Sequence, residues 1–259
     1  MITAHCIVKN EENFVWYAIN SILDYMDEII IWDTGSTDRT VEIVKTIENP
    51  KISFEEKGPV SPQEFAKLRN EMIKATDTDW IFILDGDEIW SKVGIEEIIG
   101  LITKYGNSKD LIVSPVKMLI GDIYHYQEER AGRYRIKGKT GHLNVRAIRN
   151  FDGLRVKGFF GNEGYTDINN IDIQNLPEER IVFAKNNYLH ASHLKRSSKV
   201  NSKYKYELGI PFPKDYFYPE VLFKERPKIV PSPWEPMGFG YKLRAFFETP
   251  LKKMKRRLI

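Results

Sequence analysis

At 259 residues the chain is long enough for one large α/β domain carrying an appendage. With 29% charged side chains and a formal net charge of +3 it is neither globally disordered nor basic enough to argue for nucleic acid. A single cysteine, Cys6, excludes an internal disulfide and a cysteine-based zinc site. Cys6 sits in an apolar run and reads as a small buried hydrophobe. No apolar run approaches the ~20 residues that span a bilayer. Met1-Ile2-Thr3-Ala4-His5 lacks the basic-then-apolar pattern of a signal peptide, so a cytoplasmic location is expected. There is no internal repeat and no low-complexity tract.

In chain order, Ile2 to Val8 reads as a strand, followed by Lys9-Asn10-Glu11-Glu12-Asn13, in which either asparagine can cap a helix. Phe14, Ala18, Ile22 and Tyr25 recur at helical spacing and predict a helix from Glu11 to Tyr25. Glu28 to Trp32 is a second buried strand ending at Asp33. A turn, Thr34-Gly35-Ser36-Thr37-Asp38, then leads into a helix through Val41, Val44 and Ile47. Lys51 to Glu55 predicts a third strand. Ser61-Pro62-Gln63-Glu64 starts a helix by capping-box chemistry, with Phe65, Leu68 and Met72 on its apolar face.

Trp80-Ile81-Phe82-Ile83-Leu84 is a short, wholly apolar run, as expected of a strand covered on both faces, and it runs into Asp85-Gly86-Asp87-Glu88. Neighbouring acids resist ionising together unless a cation joins them, and hard oxygen ligands favour Mg²⁺ or Mn²⁺ over zinc. Gly86 is expected to turn the chain so that Asp85 and Asp87 face one point; the plainer reading is an acidic turn after a strand. The order β-α-β-α-β-α-β specifies an α/β fold with a mostly parallel sheet flanked by helices on both faces. Ligands of such sheets bind beyond the carboxyl ends of the strands. Asn10, Asp33 and Asp85 all fall there, beside helix N-termini that favour anions. A metal-bound diphosphate fits these features.

Ile7-Val8-Lys9-Asn10-Glu11-Glu12, Asp33-Thr34-Gly35-Ser36-Thr37-Asp38-Arg39-Thr40 and Leu84-Asp85-Gly86-Asp87-Glu88 together resemble the three signatures of family 2 glycosyltransferases. The resemblance covers roughly residues 1 to 120. It implies a GT-A, Rossmann-like fold and a nucleotide-sugar donor, with Asp33 on the base, expected to be uracil. It implies Asp87 as the direct metal ligand and Asp85 nearer the ribose or a metal-bound water. The backbone around Val8 would line the nucleotide, and Glu11 would approach the base or ribose or serve as a helix N-terminal acid. Arg69 falls where the family often has a basic residue near the diphosphate, with an exposed helix arginine as the alternative.

Later in the chain, Ile95, Ile98, Ile99 and Ile102 predict a helix and Asp110 to Met118 a strand. Gly121 to Gly141, with Tyr124-His125-Tyr126, Arg130, Arg133 and Arg135, reads as an acceptor-binding insertion or a solvated hairpin. Leu143 to Asn150 suits a strand. Its Arg146 and Arg149 would serve acceptor phosphates or, by default, be exposed strand charges. An inverting transfer needs a carboxylate to take the acceptor proton. The resemblance points to Glu163, in Asn162-Glu163 where relatives often have His-Glu, and Asp167 is the second choice. Ile181 to Leu189 predicts a last strand. The resemblance implies a histidine metal ligand just after it, His190 ahead of His193, with both on one helical face if a helix starts there. Lys195, Arg196 and Lys199 are placed to neutralise a departing diphosphate.

Residues 1-208 are therefore read as the catalytic domain, with 1-120 the donor half and 121-208 the acceptor half. Residues 209-259 form a proline- and aromatic-rich extension that wraps the domain or covers the acceptor. From Phe239 to Ile259 it holds seven Lys or Arg and one Glu among Leu243, Phe246, Phe247, Leu251, Met254 and Leu258, a pattern for peripheral contact with an anionic membrane. The combined reading is a Mn²⁺- or Mg²⁺-dependent glycosyltransferase acting on a hydroxyl acceptor, whether glycan, lipid or protein. A nucleotidyltransferase is one alternative, although the loop after the first strand is acidic where that class needs a glycine-rich, basic one. A non-catalytic sugar-nucleotide or membrane-surface binding protein is the other.

Overall fold

The computed structural model describes residues 1–199 and 205–257. The first half is a parallel sheet with its helices. Strands β1 (Ile2–Val8), β2 (Glu28–Asp33), β3 (Ile52–Glu56) and β4 (Trp80–Asp85) lie in the order β3-β2-β1-β4, every neighbouring pair parallel. Helices α1 (Val15–Ile22), α2 (Thr40–Val44), α3 (Phe65–Lys74) and α4 (Lys92–Tyr105) connect or follow them. Alternation along the strands sorts their side chains onto two faces. Ala4, Cys6, Ile29, Ile31 and Phe82 pack in one core with α1, α2 and α4. Ile30 and Trp32 face the other way, against Leu68 and Met72 of α3.

The sheet continues past the acidic turn through β5 (Glu88–Ile89), β6 (Leu111–Ile120), β7 (Asp122–Tyr126), β10 (Leu143–Arg149), β13 (Ile181–Phe183), β14 (Tyr188–His193) and β15 (Ile210–Pro211). It reaches eleven strands among the described residues. Strand β10 runs antiparallel between β4 and β6, whereas β13 and β14 run parallel to β6. Two small hairpins, β8 (Tyr134–Ile136) with β9 (Lys139–Gly141) and β11 (Arg155–Lys157) with β12 (Gly164–Thr166), stand outside it.

Several local expectations change. The first helix begins at Val15, with no side-chain cap, because both asparagines are engaged elsewhere. Asn10 has φ 56° and accepts from the Thr37 N–H at 2.8 Å, while Asn13 Nδ2 donates to the Lys195 carbonyl at 2.7 Å. The capping box at Ser61 forms, but it opens a 3-10 turn, Pro62–Glu64, that feeds α3. The single strand expected over Ile181 to Leu189 is two strands. At the break, Glu97 of α4 accepts the N–H groups of Lys185 and Asn186 at 2.9 and 2.8 Å. No helix starts at His190, which is held in β14 between Glu88 of β5 and Met118 of β6.

After residue 209 the chain joins the same sheet and core. Strand β15 pairs with β7, and Val221, Leu222 and Val230 are buried in the cluster that holds α1. Phe212 stacks on Tyr216 with ring centroids 4.1 Å apart, and Tyr218 and Trp234 extend the aromatic group. A last helix, α5, spans Phe239–Arg257. Leu258 and Ile259, expected in that helix, lie outside the described residues, as do 200–204 of the expected acceptor half. Among the described residues no helix is long and apolar enough to cross a membrane.

Candidate active site

The carboxyl ends of β1 and β4 open into a cavity of about 930 Å³, closed on the far side by β10, β12, β14 and the β8–β9 hairpin. The acidic turn enters it because Gly86 lets the turn lie against β1. A Cβ at Gly86 would come within 3.0 Å of both Val8 Cγ1 and Glu11 Cγ. The chain does turn at Gly86 and Asp87, but Gly86 has no left-handed φ, so it is the close approach that requires glycine there.

The acids then separate by their partners. Asp85 Oδ2 accepts from Arg146 at 3.1 Å, and Arg146 also pairs with Glu88, which has no solvent exposure. Asp87 Oδ1 lies 3.1 Å from His190 Nε2, and Glu88 Oε1 lies 3.6 Å from His190 Nδ1. Ligand atoms of Asp85, Glu88 and His190 lie within 4.8 Å of one another. Thus Glu88 enters the group in which Asp87 was expected, while Asp87 flanks it through His190. Oxygen donors with one imidazole suit Mn²⁺ or Mg²⁺. Asp87 Oδ2 and His190 Nδ1 are buried without hydrogen-bond partners, so the donor set has unused capacity at its centre.

Electrostatics follow from burial and from these pairs. Burial raises the Glu88 pKa to about 7, against the pull of Arg146. Burial opposes the charge on His190, but Asp87 outweighs it and raises the imidazole to about 9. Burial likewise opposes ionisation of Asp85, yet Arg146, His190 and Arg69 together hold its pKa below the ordinary value. Glu11 is pushed well above the carboxylate range by burial and by Asp87, despite Arg196 at 2.6 Å.

Arg146 was expected on an exposed strand face, and the structure corrects this. The pairing of β10 with β6 slips between Val145 and Ala147, so Arg146 occupies a bulge. A bulge re-aims a side chain, and here it turns the guanidinium into the site. Its Nε donates to the Tyr188 hydroxyl at 2.9 Å, which also accepts from Asn144 Nδ2 at 2.7 Å. Arg149 pairs with Asp110 at 2.7 Å, outside the cavity lining, which leaves no role there for the acceptor phosphates considered for it.

The remaining residues divide similarly. Val8, Asn10, Glu11 and Arg69 line the cavity. Asp33 does not line it, although its neighbour Thr34 does. Its Oδ1 accepts from the N–H groups of Gly35 and Ser36 at 2.9 Å, and its Oδ2 is buried without a partner. Arg69 packs 5.1 Å from the Phe65 ring, with its Nε unpartnered, so it is not the exposed helix arginine of the alternative reading. Burial opposes its charge, but Tyr165, Asp85 and Glu163 outweigh that and raise its pKa.

Glu163 lines the cavity and accepts from the Gly161 N–H at 2.5 Å. Asp167 does not line it. Its carboxylate accepts from the Ile171 N–H at 2.8 Å and stabilises a turn, which places the second-choice base away from the cavity. His193 Nε2 lies 3.0 Å from Lys205 Nζ, and burial and Lys205 lower its pKa to about 4. Of the three cations near residue 196, Arg196 lines the cavity, 3.8 Å from Asp87. The Gly121 to Gly141 segment splits: Tyr134 and Arg135 line the cavity, while Tyr126 packs on Phe212 at 4.8 Å. Glu88 was visible in the acidic run; Tyr188 and the inward Arg146 had no signal in residue order.

Comparison with known proteins adds an independent line. The family model described as Glycosyl transferase family 2 matches residues 4–159, more than half of the chain. The SPbeta prophage-derived glycosyltransferase SunS of Bacillus subtilis (strain 168) is 32% identical over 146 residues, 54% of this chain and 32% of that protein. An uncharacterized glycosyltransferase of Rickettsia prowazekii (strain Madrid E), RP128, is 33% identical over 119 residues, 46% of this chain and 38% of that one. The chain thus spans about a third of the length of the curated relatives it matches. In fold it is similar to S. aureus TarS 1-349, solved in complex with UDP-GlcNAc. The TM-score is 0.51 at 15% identity, over 73% of this chain and 58% of that one.

Proposed function

Because this chain belongs to glycosyl transferase family 2, we propose that it moves a sugar from a UDP-sugar to a hydroxyl acceptor, with inversion and with Mn²⁺ or Mg²⁺ bound. The observation that carries this reading is a set of buried polar atoms without partners around one cavity: Glu11 Oε2, Asp87 Oδ2, His190 Nδ1 and Arg69 Nε. Such atoms are costly to bury unless a ligand completes them. Carboxylate and imidazole atoms suit a divalent cation, and the arginine beside them suits a phosphate. The UDP-GlcNAc complex of TarS supports the choice of nucleotide.

In this reading Asp33 takes the base through Oδ2, and the β1 end from Val8 to Glu11 borders the nucleotide. Asp85 and His190 would hold the metal, and Asp87 would join them through its unpartnered Oδ2, because the Glu88 carboxylate grouped with them is already paired with Arg146 and fixes the position of Asp85. When bound, the metal stabilises negative charge on the leaving diphosphate. Arg69 binds and orients the same diphosphate. Glu163 takes the acceptor proton while the acceptor oxygen forms its bond to the sugar carbon and the bond to UDP breaks.

The test is thermal stability against UDP, GDP, CDP and dTDP, each with and without Mn²⁺. A ligand that binds only the native state raises the melting point by mass action. A metal-dependent rise with UDP that is lost in Asp87→Ala supports the site. A rise with another nucleotide changes the base assignment, and no rise with any of them overturns the donor reading. Donor hydrolysis or transfer then separates an enzyme from a sugar-nucleotide binding protein.

A further inference from the structure

The outer face of α5 has no part in the transfer chemistry. The helix is anchored along one stripe, where Ala245 and Thr249 are buried. Thr249 Oγ1 accepts from the Leu208 N–H at 3.0 Å, and Lys252 Nζ donates to the Tyr206 carbonyl at 2.8 Å. Arg256 forks onto Glu207 at 2.6 and 2.7 Å. Positions 245, 249, 252 and 256 recur every three or four residues, so they share one face. Phe239, Leu243, Phe246, Phe247, Leu251 and Met254 follow the same period on the opposite face and are all exposed, Phe246 and Phe247 by 62% and 66%. At the helical rise this stripe is about 22 Å long. A contiguous apolar stripe of that size marks a contact with a partner or a membrane.

The charges choose between them. By helical angle, Lys242 and Lys253 border one side of the stripe, Arg244 and Lys255 the other, and Arg257 stands at its C-terminal end. Among the described residues no carboxylate pairs with Lys242, Lys253, Lys255 or Arg257. Glu248, the one acid of the helix, is held between Arg244 at 2.7 Å and Lys252 at 2.9 Å. An anionic bilayer offers negative headgroups in the plane where its apolar layer begins, so it meets the cationic borders and the apolar stripe together.

We propose that α5 lies in the surface of an anionic bilayer, with its outer stripe in the headgroup boundary and its inner stripe carrying the protein. The helix is also tied to the acceptor side of the cavity. Arg256 donates to Glu128 at 3.0 Å, and the Glu128 carbonyl lies 3.1 Å from His142 Nε2. These two residues flank the hairpin whose Tyr134 and Arg135 line the cavity. A docked helix therefore holds the cavity-lining hairpin near the bilayer, where a lipid-carried hydroxyl acceptor would be at hand; that last clause rests on the glycosyltransferase reading.

The experiment is co-sedimentation of the full chain with phosphatidylcholine vesicles and with vesicles that also contain phosphatidylglycerol. Binding is expected with the anionic vesicles, weakening as salt is added. Lys253→Gln with Arg257→Gln should lower partitioning about thirtyfold, since each such charge near an anionic surface contributes about fivefold. Phe246→Ser with Phe247→Ser should lower it by more than about tenfold through lost apolar burial. Phe246, Phe247 and Arg257 are exposed and Lys253 is half-buried, so both variants should keep the wild-type melting transition, which checks folding without relying on the donor site. No vesicle binding, or binding unchanged in both variants, overturns the proposal. So does a doubled mass in solution that Phe246→Ser with Phe247→Ser abolishes, which would assign the stripe to a second copy.

Discussion

Arg146 and Glu88 form an ion pair at the base of the acidic turn, and the same guanidinium reaches Asp85 at 3.1 Å. Glu88 has no solvent exposure and Arg146 is 7% exposed. Removing one partner of a buried pair leaves the other charge uncompensated, at a cost of about 3–5 kcal/mol. Arg146→Met should lower stability by about that amount in urea unfolding. Arg146→Met with Glu88→Leu should recover much of the loss, because the orphaned carboxylate is gone. Equal stability of Arg146→Met and the wild type would mean that the pair does not hold the turn.

Gly86→Ala tests the close approach of the turn to β1. The new methyl would meet Val8 and Glu11 at 3.0 Å, tighter than ordinary contact. Overpacking of this kind costs about 1–3 kcal/mol and moves the backbone. The expected result is a lower melting point together with weaker metal-dependent nucleotide binding. Unchanged binding would show that the acids tolerate a shifted turn.

Glu163→Gln keeps the shape of the side chain and removes its basicity. Donor binding should match the wild type, while turnover with acceptor should fall about 10²–10⁴-fold. Equal loss of donor affinity would assign Glu163 to the architecture of the loop it shares with Gly161, whose N–H it accepts at 2.5 Å.

His5 offers a pH test away from the acidic turn. It lies on β1, 1% exposed and 2.6 Å from Thr76 Oγ1. Burial, with Arg69 adding to it, lowers its pKa from 6.5 to about 3. The unfolded chain therefore binds a proton that the folded chain refuses between these values. Stability from this group is fully present above pH 6.5 and is lost as pH falls toward 3. The slope approaches about 1.4 kcal/mol per pH unit within that window. Urea unfolding at pH 7 and pH 5 should show a smaller acid loss in His5→Gln than in the wild type; equal losses would remove His5 as the cause.

Local patterns in the sequence were enough to specify the parallel part of the sheet and its helices. Short, mostly apolar segments became β1, β2 and β4 because a strand covered on both faces needs little else. The three motifs fell at strand ends because a parallel sheet delivers the ends of its strands to one edge. The acids at Asp85, Asp87 and Glu88 were legible as a group for the same reason, whereas Glu163 was named only through the family resemblance. Residue order was silent where distant segments meet. Whether Arg146 faces solvent or Glu88 depends on a one-residue bulge in β10, and one residue of slip moves a side chain to the other face. Asn10 and Asn13 look like caps until residues 27 and 182 positions away compete for them. Asp167 and Glu163 are both loop carboxylates in sequence; only the path of the chain puts one at the cavity and the other under a turn. Chemistry was carried by residue type, which the sequence states, and direction by packing between elements, which only the tertiary structure decides.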